Sequence, residues 1–464
     1  MLQKFKSKFI GDRDFYRKLF ILVFPIIIQQ GITCFVGLVD NVMVGRLGTE
    51  SMSGVAIVNQ LINVFNLAIF GGISGASIYG AQFFGKGDQD GVRFAFRFKI
   101  LFSVVVTIVA IAGFIVWKEP LIALFLTESE SGGDIAYTLC EAKDYLKNML
   151  IGLIPFAFSQ TYASTLRETG ETFSPMVASC IAILLNLVLN YCLIFGNFGM
   201  PRLGVVGAAI GTVVSRYVEA IFLIVRTQIY RERFVFIQKA FRSFYIPFDI
   251  VKKVLITGSP LILNEILWSV GMTAINQSYS TRGLSVVAAT NITSTVWNLF
   301  SVVMFAMGTA VSIVVGQLLG ANRIEEAKDT DNKLLFFTVV LHVFIGGIII
   351  LTARYVPEIY NVEPEVKMLT TRLLIVAGAA LPIHAFAHVT YFTLRAGGQT
   401  YVTFLFDSLY TWIVPLPLAF FLCRMTAFPI VTIYFCVQFI DGIKVVIGTL
   451  LLRSGIWAKR IVVE

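Results

Sequence analysis

Charge is scarce in this 464-residue chain. Asp, Glu, Lys and Arg make up 14% of it against 57% hydrophobic residues, where about 25% charge is usual for a soluble domain. With a mean hydropathy of +0.80, an ordinary water-soluble fold is excluded and the bilayer becomes the solvent. Histidine occurs three times, and the six cysteines, Cys34, Cys140, Cys180, Cys192, Cys423 and Cys436, are scattered without CxxC or Cys/His spacing. No metal or cofactor is therefore expected, and the cysteines read as small apolar fillers. The chain lacks a GxxxxGK(S/T) phosphate loop, so direct use of ATP is not expected, and it lacks HExxH and GxSxG, which argues against an enzyme. The strand alternation of an outer-membrane barrel is missing too, which leaves the helix as the way to cross a membrane.

Apolar runs long enough to cross about 30 Å of hydrocarbon can be read twelve times. In the first half they cover 16–45, 52–84, 98–118, 145–165, 172–196 and 204–226. In the second half they cover 251–279, 284–319, 334–353, 369–394, 400–423 and 428–452. The N-terminal MLQKFKSKFIGDRDFYRK is basic. The apolar run after it holds Gln29 and Gln30 and has no small-residue cleavage site, so a retained first helix is expected. The fold class is an all-α polytopic membrane protein: an N-terminal six-helix lobe (1–226), a cytoplasmic linker (227–250) and a C-terminal six-helix lobe (251–464).

The two halves say much of the same thing. Pro25, Asn41, Gly48, Asn63, Phe65, Phe70, Ser77, Gln82 and Gly85 recur 235 residues later as Pro260, Asn276, Gly283, Asn298, Phe300, Phe305, Ser312, Gln317 and Gly320. At an offset of 228, Thr165-Leu166-Arg167, Gly170 and Thr172 recur as Thr393-Leu394-Arg395, Gly398 and Thr400. Two related membrane bundles about a pseudo-two-fold axis form a transporter architecture, because rocking one against the other alternates access to a central site.

With alternating spans and both termini on one side, 25 Lys and Arg fall on the terminal side and 10 on the other. The excess of positive charge places both termini in the cytoplasm. The net +9 then reads as topology, with basic patches that contact acidic lipid heads and no nucleic-acid partner. The linker, rich in Arg, Lys and aromatics, is a candidate interfacial amphipathic helix. The longer outward loop from Lys118 to Asp144 holds Glu119, Glu128, Glu130, Asp134, Glu141 and Asp144 and reads as a solvated loop.

Ionisable groups inside spans are functional candidates by default, since each costs about 2.5–3.5 kcal/mol on insertion scales. Glu265, five residues after Pro260 and flanked by Asn264 and Trp268, sits near a kinked backbone and is the sharpest candidate for proton or cation coupling. Its repeat mate is the neutral Gln30. Asp40, whose mate is Ile275, is a second candidate, with hydration or pairing with Arg46 as the alternative. Asp407 is a candidate partner for Glu265. Arg216 with Glu219, and Asp441 with Lys444, are three apart on shared helical faces and read as neutralised pairs, within or between helices. His342 is a further ionisable group inside a span. His384 and His388, four apart, form a candidate proton relay, with packing histidines as the alternative.

FPIIIQQ, VDNVMVGRLG, GAQFFGKGD, TLRETGET, NLVLNYCLIFG, LGVVGAAIGTVVS, NEILWSVG and GQLLGANRIEEA, in this order, resemble the multidrug and toxic compound extrusion family over nearly the whole chain. The resemblance implies two pseudo-symmetric six-helix bundles around a V-shaped central cleft that exports organic, often cationic, compounds in exchange for sodium ions or protons. It also implies roles for individual residues. Asp40 matches the helix 1 acid, and Asn186, Asn190 and Thr212 match positions that complete a sodium site in several members. Asn190 stands where those members carry a second carboxylate, which puts sodium binding in the first lobe in doubt. Glu265 matches a helix 7 acid used for coupling. His384 lies near a helix 10 position where one branch has Asp.

The function implied is a secondary antiporter coupled to H+ or Na+, exporting amphipathic organic drugs or metabolites. It would act as a monomer in a bacterial cytoplasmic membrane, with membrane lipids, small organic substrates and the coupling ion as its partners. A lipid-linked oligosaccharide flippase of related architecture is the alternative, weakened because only Arg216 and Lys444 place positive charge inside spans away from their ends, each beside an acid. An intramembrane enzyme is more remote.

Overall fold

The computed structural model describes residues 9–125 and 135–462. Among them twelve helices are long and apolar enough to cross a membrane: α1 (Arg13–Gly45), α2 (Thr49–Lys86), α3 (Gln89–Ala123), α4 (Ile135–Glu168), α5 (Phe173–Phe195), α6 (Gly204–Ile229), α7 (Phe248–Ser280), α8 (Leu284–Gly320), α9 (Ile324–Thr352), α10 (Pro364–Ala396), α11 (Thr400–Met425) and α12 (Ile430–Ser454). The protein is therefore a multi-pass membrane protein of all-α class, and the described residues contain no β-strand. Large apolar side chains stand exposed on the helix exteriors, among them Ile108, Val109, Val116, Leu184, Val188 and Ile256. Such surfaces suit lipid rather than water.

The helices carry interruptions where the sequence provides a cause. Pro25 and Pro260, repeat mates, lie inside α1 and α7. Pro155 and Pro382 lie inside α4 and α10. In α11 the backbone widens into a π-turn at Leu405–Leu409 and breaks before Pro415. Pro supplies no N–H to the helical ladder, and π-turns often accompany functional sites.

The chain forms two compact units, divided inside helices rather than at the linker. One takes Phe24–Gly80 and Asp88–Gly258; the other takes the segment through Val23, Ala81–Gly87 and Ser259 onward. The division falls after Val23 in α1 and after Gly258 in α7, positions 235 apart. In the first unit the start of α7 seats on α2: a Cβ at Gly75 would lie 2.5 Å from the Gly258 Cα, and Tyr79 and Thr257 share a 3.0 Å hydroxyl bond. Its core gathers Val58, Ile69, Ile122, Ala142, Ile194 and Ala209 from α2 to α6.

In the second unit the ends of α2 and α8 cross at repeat-equivalent residues. A Cβ on Gly85 would come within 1.9 Å of the Gln317 carbonyl oxygen, and one on Gly320 within 1.9 Å of the Gln82 carbonyl oxygen. Only glycine allows so close an approach of two backbones. Gln82 also holds the C-terminal segment, donating to Ala396 O at 3.0 Å and accepting from Ile461 N at 2.9 Å. The core of this unit includes Ile275, Ala289, Leu373, Ala419 and Ile433.

The linker is not the amphipathic helix the sequence suggested. Its one helical turn is the short 3-10 segment Val235–Ile237. Buried Arg97 of α3 takes the carbonyls of Lys239, Ala240 and Tyr245 at 2.8, 2.8 and 3.0 Å, so these acceptors go to a side chain instead of a helical ladder. Phe234, Phe236, Ile237 and Ala240 of the linker are buried. The outward loop is shorter than the sequence suggested, since Glu119 lies in α3 and Glu141 and Asp144 in α4; Glu119 pairs with Lys143 of α4 at 2.6 Å, while Glu128, Glu130 and Asp134 lie outside the described residues.

Candidate functional site

In the first unit the structure brings Asp40 of α1, Asn186 and Asn190 of α5 and Thr212 of α6 into one cluster. The i, i+4 spacing of the two asparagines stacks them on one face of α5, and both are buried. Asn190 Nδ2 donates to Asp40 Oδ1 at 2.9 Å. Asn186 reaches Thr212 Oγ1 at 3.2 Å and, in the amide orientation that satisfies its neighbours, donates to both Asp40 oxygens at 3.1 and 3.2 Å. The partners of Asp40 are thus neutral amides, and its pairing with Arg46 is not observed among the described residues. Asn190 Oδ1 is buried without a hydrogen-bond partner, close enough to Gly211 that a Cβ there would sit 2.2 Å away. The cluster supplies one negative charge and several neutral oxygens, a donor set suited to a hard cation or a proton.

A second polar chain crosses the same unit. Arg167 Nη2 donates to Gln29 Oε1 at 2.9 Å, Gln29 Nε2 to Ser179 Oγ at 2.6 Å, and Ser179 Oγ to Glu219 Oε1 at 2.6 Å. Glu219 Oε2 then pairs with Arg216 Nη1 at 3.4 Å, the neutralised pair expected from the i, i+3 spacing. The sequence pointed to Gln30 as the mate of Glu265; Gln29, the mate of Asn264, makes the bonds.

Sequence reasoning also missed a buried ion pair. Lys99 Nζ lies 2.5 and 2.7 Å from the two Glu168 oxygens, with side chains 0% and 5% exposed. Ser164 and Thr165 add bonds at 3.0 and 3.2 Å. Thr165 has Thr393 as its repeat mate, and Thr393 bonds buried Asp331 in the second unit. The shared TLR triplet was the available signal.

In the second unit Glu265 and Asp407 are linked through two intermediaries. Tyr391 donates its hydroxyl to Glu265 Oε1 at 3.1 Å, and Asn264 Nδ2 donates to Asp407 Oδ2 at 3.1 Å and reaches Tyr391 Oη at 3.4 Å. Ser408, inside the π-turn, donates through its hydroxyl to Asn264 Oδ1 at 2.7 Å and through its backbone N–H at 3.2 Å. Of the two forms of neutralisation expected for Asp441 and Lys444, the contacts formed are between helices and not with each other. Lys444 instead meets Asp407 at 3.1 Å, and Asp441 faces His384 Nδ1 at 3.4 Å. The cause lies in α12, which is interrupted between Phe439 and Gly442, so the regular i, i+3 geometry does not hold across Asp441. His384 Nε2 meets Gln438 at 2.9 Å, while His388 is packed against Phe305, Phe392 and Tyr391. No hydrogen bond joins the two histidines among the described residues. His342 is buried and meets the Thr338 carbonyl at 2.7 Å.

A family model described as MatE matches the chain twice, over residues 25–192 and 260–421, two segments whose starts are 235 apart. A probable multidrug resistance protein NorM from Thermotoga maritima is 24% identical over 449 residues, covering 96% of this chain and 94% of that protein. One of the same description from Geobacillus kaustophilus is 28% identical, with 89% of each chain covered. Among solved structures, a multidrug resistance MATE family transporter in an outward-facing conformation superposes with a TM-score of 0.86 at 20% identity, over 95% of this chain and 96% of that one. A MOP superfamily transporter from Pyrococcus furiosus, described as having a binding pocket of reverse polarity, gives 0.84 at 21% identity, over 97% of each chain.

Proposed function

This chain belongs to the MatE family of multidrug transporters, and from that premise we propose that it is a secondary antiporter that exports amphipathic organic compounds, chiefly cations, in exchange for H+ or Na+. The observation that carries this reading is the Asp40 cluster: a carboxylate in a membrane span whose bonds come from neutral amides, so an incoming cation or proton meets a negative charge with no resident cation to displace. Holding such a carboxylate in a span is costly, and binding a monovalent cation relieves that cost. The Glu265–Tyr391–Asn264–Asp407 network of the second unit is a second place for coupling. There Lys444 already answers the charge of Asp407, which leaves Glu265 as the coupling acid and makes Asp407 its support.

On this reading both termini and the linker face the cytoplasm, following the distribution of positive charge. Alternating access between the two related halves moves substrate outward as the ion moves inward. Accumulation of a fluorescent cationic dye in proteoliposomes, under separately imposed sodium and pH gradients, tests the proposal. Dye movement driven by one of the two gradients is the expected result; movement indifferent to both would leave a passive pathway and overturn it.

A further inference from the structure

Arg216 is a cation in the middle of a membrane helix whose exposure its ion pair does not account for. It stands twelve residues into α6, about 18 Å along the axis at ~1.5 Å per residue, far from either end. Its side chain is 38% exposed, against 7% for Glu219. The apolar exposed side of α6 is the stripe Val214, Tyr217, Ile221 and Val225, spaced at three and four residues. At ~100° per residue, Arg216 lies about 200° from Val214, on the opposite side of the helix. That side is otherwise covered, with Ala209, Glu219, Ala220 and Leu223 buried, so the part-exposed guanidinium stands in an opening among buried neighbours, away from the lipid-suited stripe, where water has to reach it.

The guanidinium is also prearranged. Its Cζ lies over the Phe156 ring, 4.9 Å from the centroid, a cation–π contact that helps hold the guanidinium in place. Its one hydrogen bond among the described residues is the long 3.4 Å contact to Glu219, whose other oxygen is occupied by Ser179 at 2.6 Å. A guanidinium has five N–H donors in a planar fork that matches a carboxylate, sulfonate or phosphate. The equivalent position in the second unit, taking Glu219 and Asp441 as mates, is Gln438, engaged with His384. The feature belongs to one unit only.

We propose that Arg216, carried on Phe156, is an anion-accepting subsite that binds the carboxylate, sulfonate or phosphate group of an amphipathic substrate. The proposal rests on the exporter reading for its substrate, though its geometry does not. The test is a matched pair of xanthene dyes, a cationic ethyl ester and its zwitterionic free acid, titrated by fluorescence anisotropy against the purified full-length protein and loaded into proteoliposomes. Arg216→Gln should raise the ratio of free-acid Kd to ester Kd about tenfold or more, the scale of a charge-assisted contact, and Arg216→Lys should raise it less. Glu219→Gln, which releases the guanidinium, should lower it. A ratio unmoved by Arg216→Gln, a Glu219→Gln variant that raises it equally, or a wild type that fails to bind the free acid would each overturn the subsite. Binding of both dyes without gradient-driven transport of either would instead sink the exporter reading and leave the subsite standing.

Discussion

The Asn190 amide turns its nitrogen toward Asp40, donating at 2.9 Å, and leaves its oxygen buried against the Gly211 backbone without a partner. For a cation to lie between the two side chains the amide has to turn over, which brings the oxygen to the carboxylate side and removes the N–H bond that now supports the charge. With one carboxylate in the cluster, a sodium ion there is balanced by a single negative charge in a partly desolvated setting, where a second charge counts for much more than in water.

Weak sodium binding by this unit is therefore expected in the wild type, and tighter binding in Asn190→Asp. Calorimetric sodium titration of the wild type, Asn190→Asp and Asp40→Asn checks this. Tight wild-type binding that vanishes in Asp40→Asn would show that the neutral oxygens suffice.

Glu265 and Asp407 should separate by stability as well as transport. Glu265→Gln keeps a group that can accept from Tyr391, so folding should hold while gradient-driven export is lost. Asp407→Asn leaves Lys444, with a side chain 7% exposed, without its counter-charge. Removing one partner of a buried pair costs about 3–5 kcal/mol, scaled down here because Asp407 is 19% exposed. Its melting temperature should fall well below that of Glu265→Gln, and adding Lys444→Met should recover part of the loss. Equal melting temperatures for the two single variants would remove the ion pair from the account.

The Lys99–Glu168 pair invites a double-mutant cycle. Lys99→Met strands a buried carboxylate against Gly80, where a Cβ would lie 2.1 Å from Glu168 Oε2. A loss of about 3–5 kcal/mol is expected, while Lys99→Met with Glu168→Gln should lose much less. Additive losses, read by thermal unfolding in detergent, would mean that the two side chains do not act as a unit.

Gly85→Ala should impair both stability and transport, since its Cβ would meet the Gln317 carbonyl at 1.9 Å and the helices would have to move apart. Gly347→Ala is the control: nothing lies within 4 Å of its Cβ, and alanine in a helix is favoured by up to ~1 kcal/mol. Similar behaviour of the two variants would show that the crossing is not close-packed.

Topology is checked with an impermeant thiol reagent on intact cells. Exposed Cys140, at the start of α4, should be labelled, whereas a cysteine at position 238, made by Gln238→Cys, should react only after the membrane is permeabilised. Labelling of Gln238→Cys in intact cells, once Cys140 is removed by Cys140→Ala, would overturn the orientation.

The spans were legible because length and hydropathy are properties of one segment at a time. The Asp40 cluster was legible through the family resemblance, which matched Asn186, Asn190 and Thr212 to the positions of a sodium site; their spacing alone did not single them out. What escaped depends on partners distant in the chain. Lys444 was set beside Asp441, three residues away, yet meets Asp407, 37 residues away. Lys99 stood at the edge of an apolar run, with its acid 69 residues further on. The linker's conformation depends on Arg97, 143 residues before Ala240, and no local periodicity records that.

The crossing of α2 and α8 has a further consequence. Gly85 rests on the carbonyl of Gln317 while Gly320 rests on that of Gln82, and the two pairs are copies of one another. A contact in which residue i of one copy meets residue j of the other, and j meets i, is isologous, the form taken by two-fold homodimers. One half of the sequence thus encodes both sides of the joint, a carbonyl and a glycine three residues apart, the self-complementary pattern that a contact between two identical half-length chains would also use.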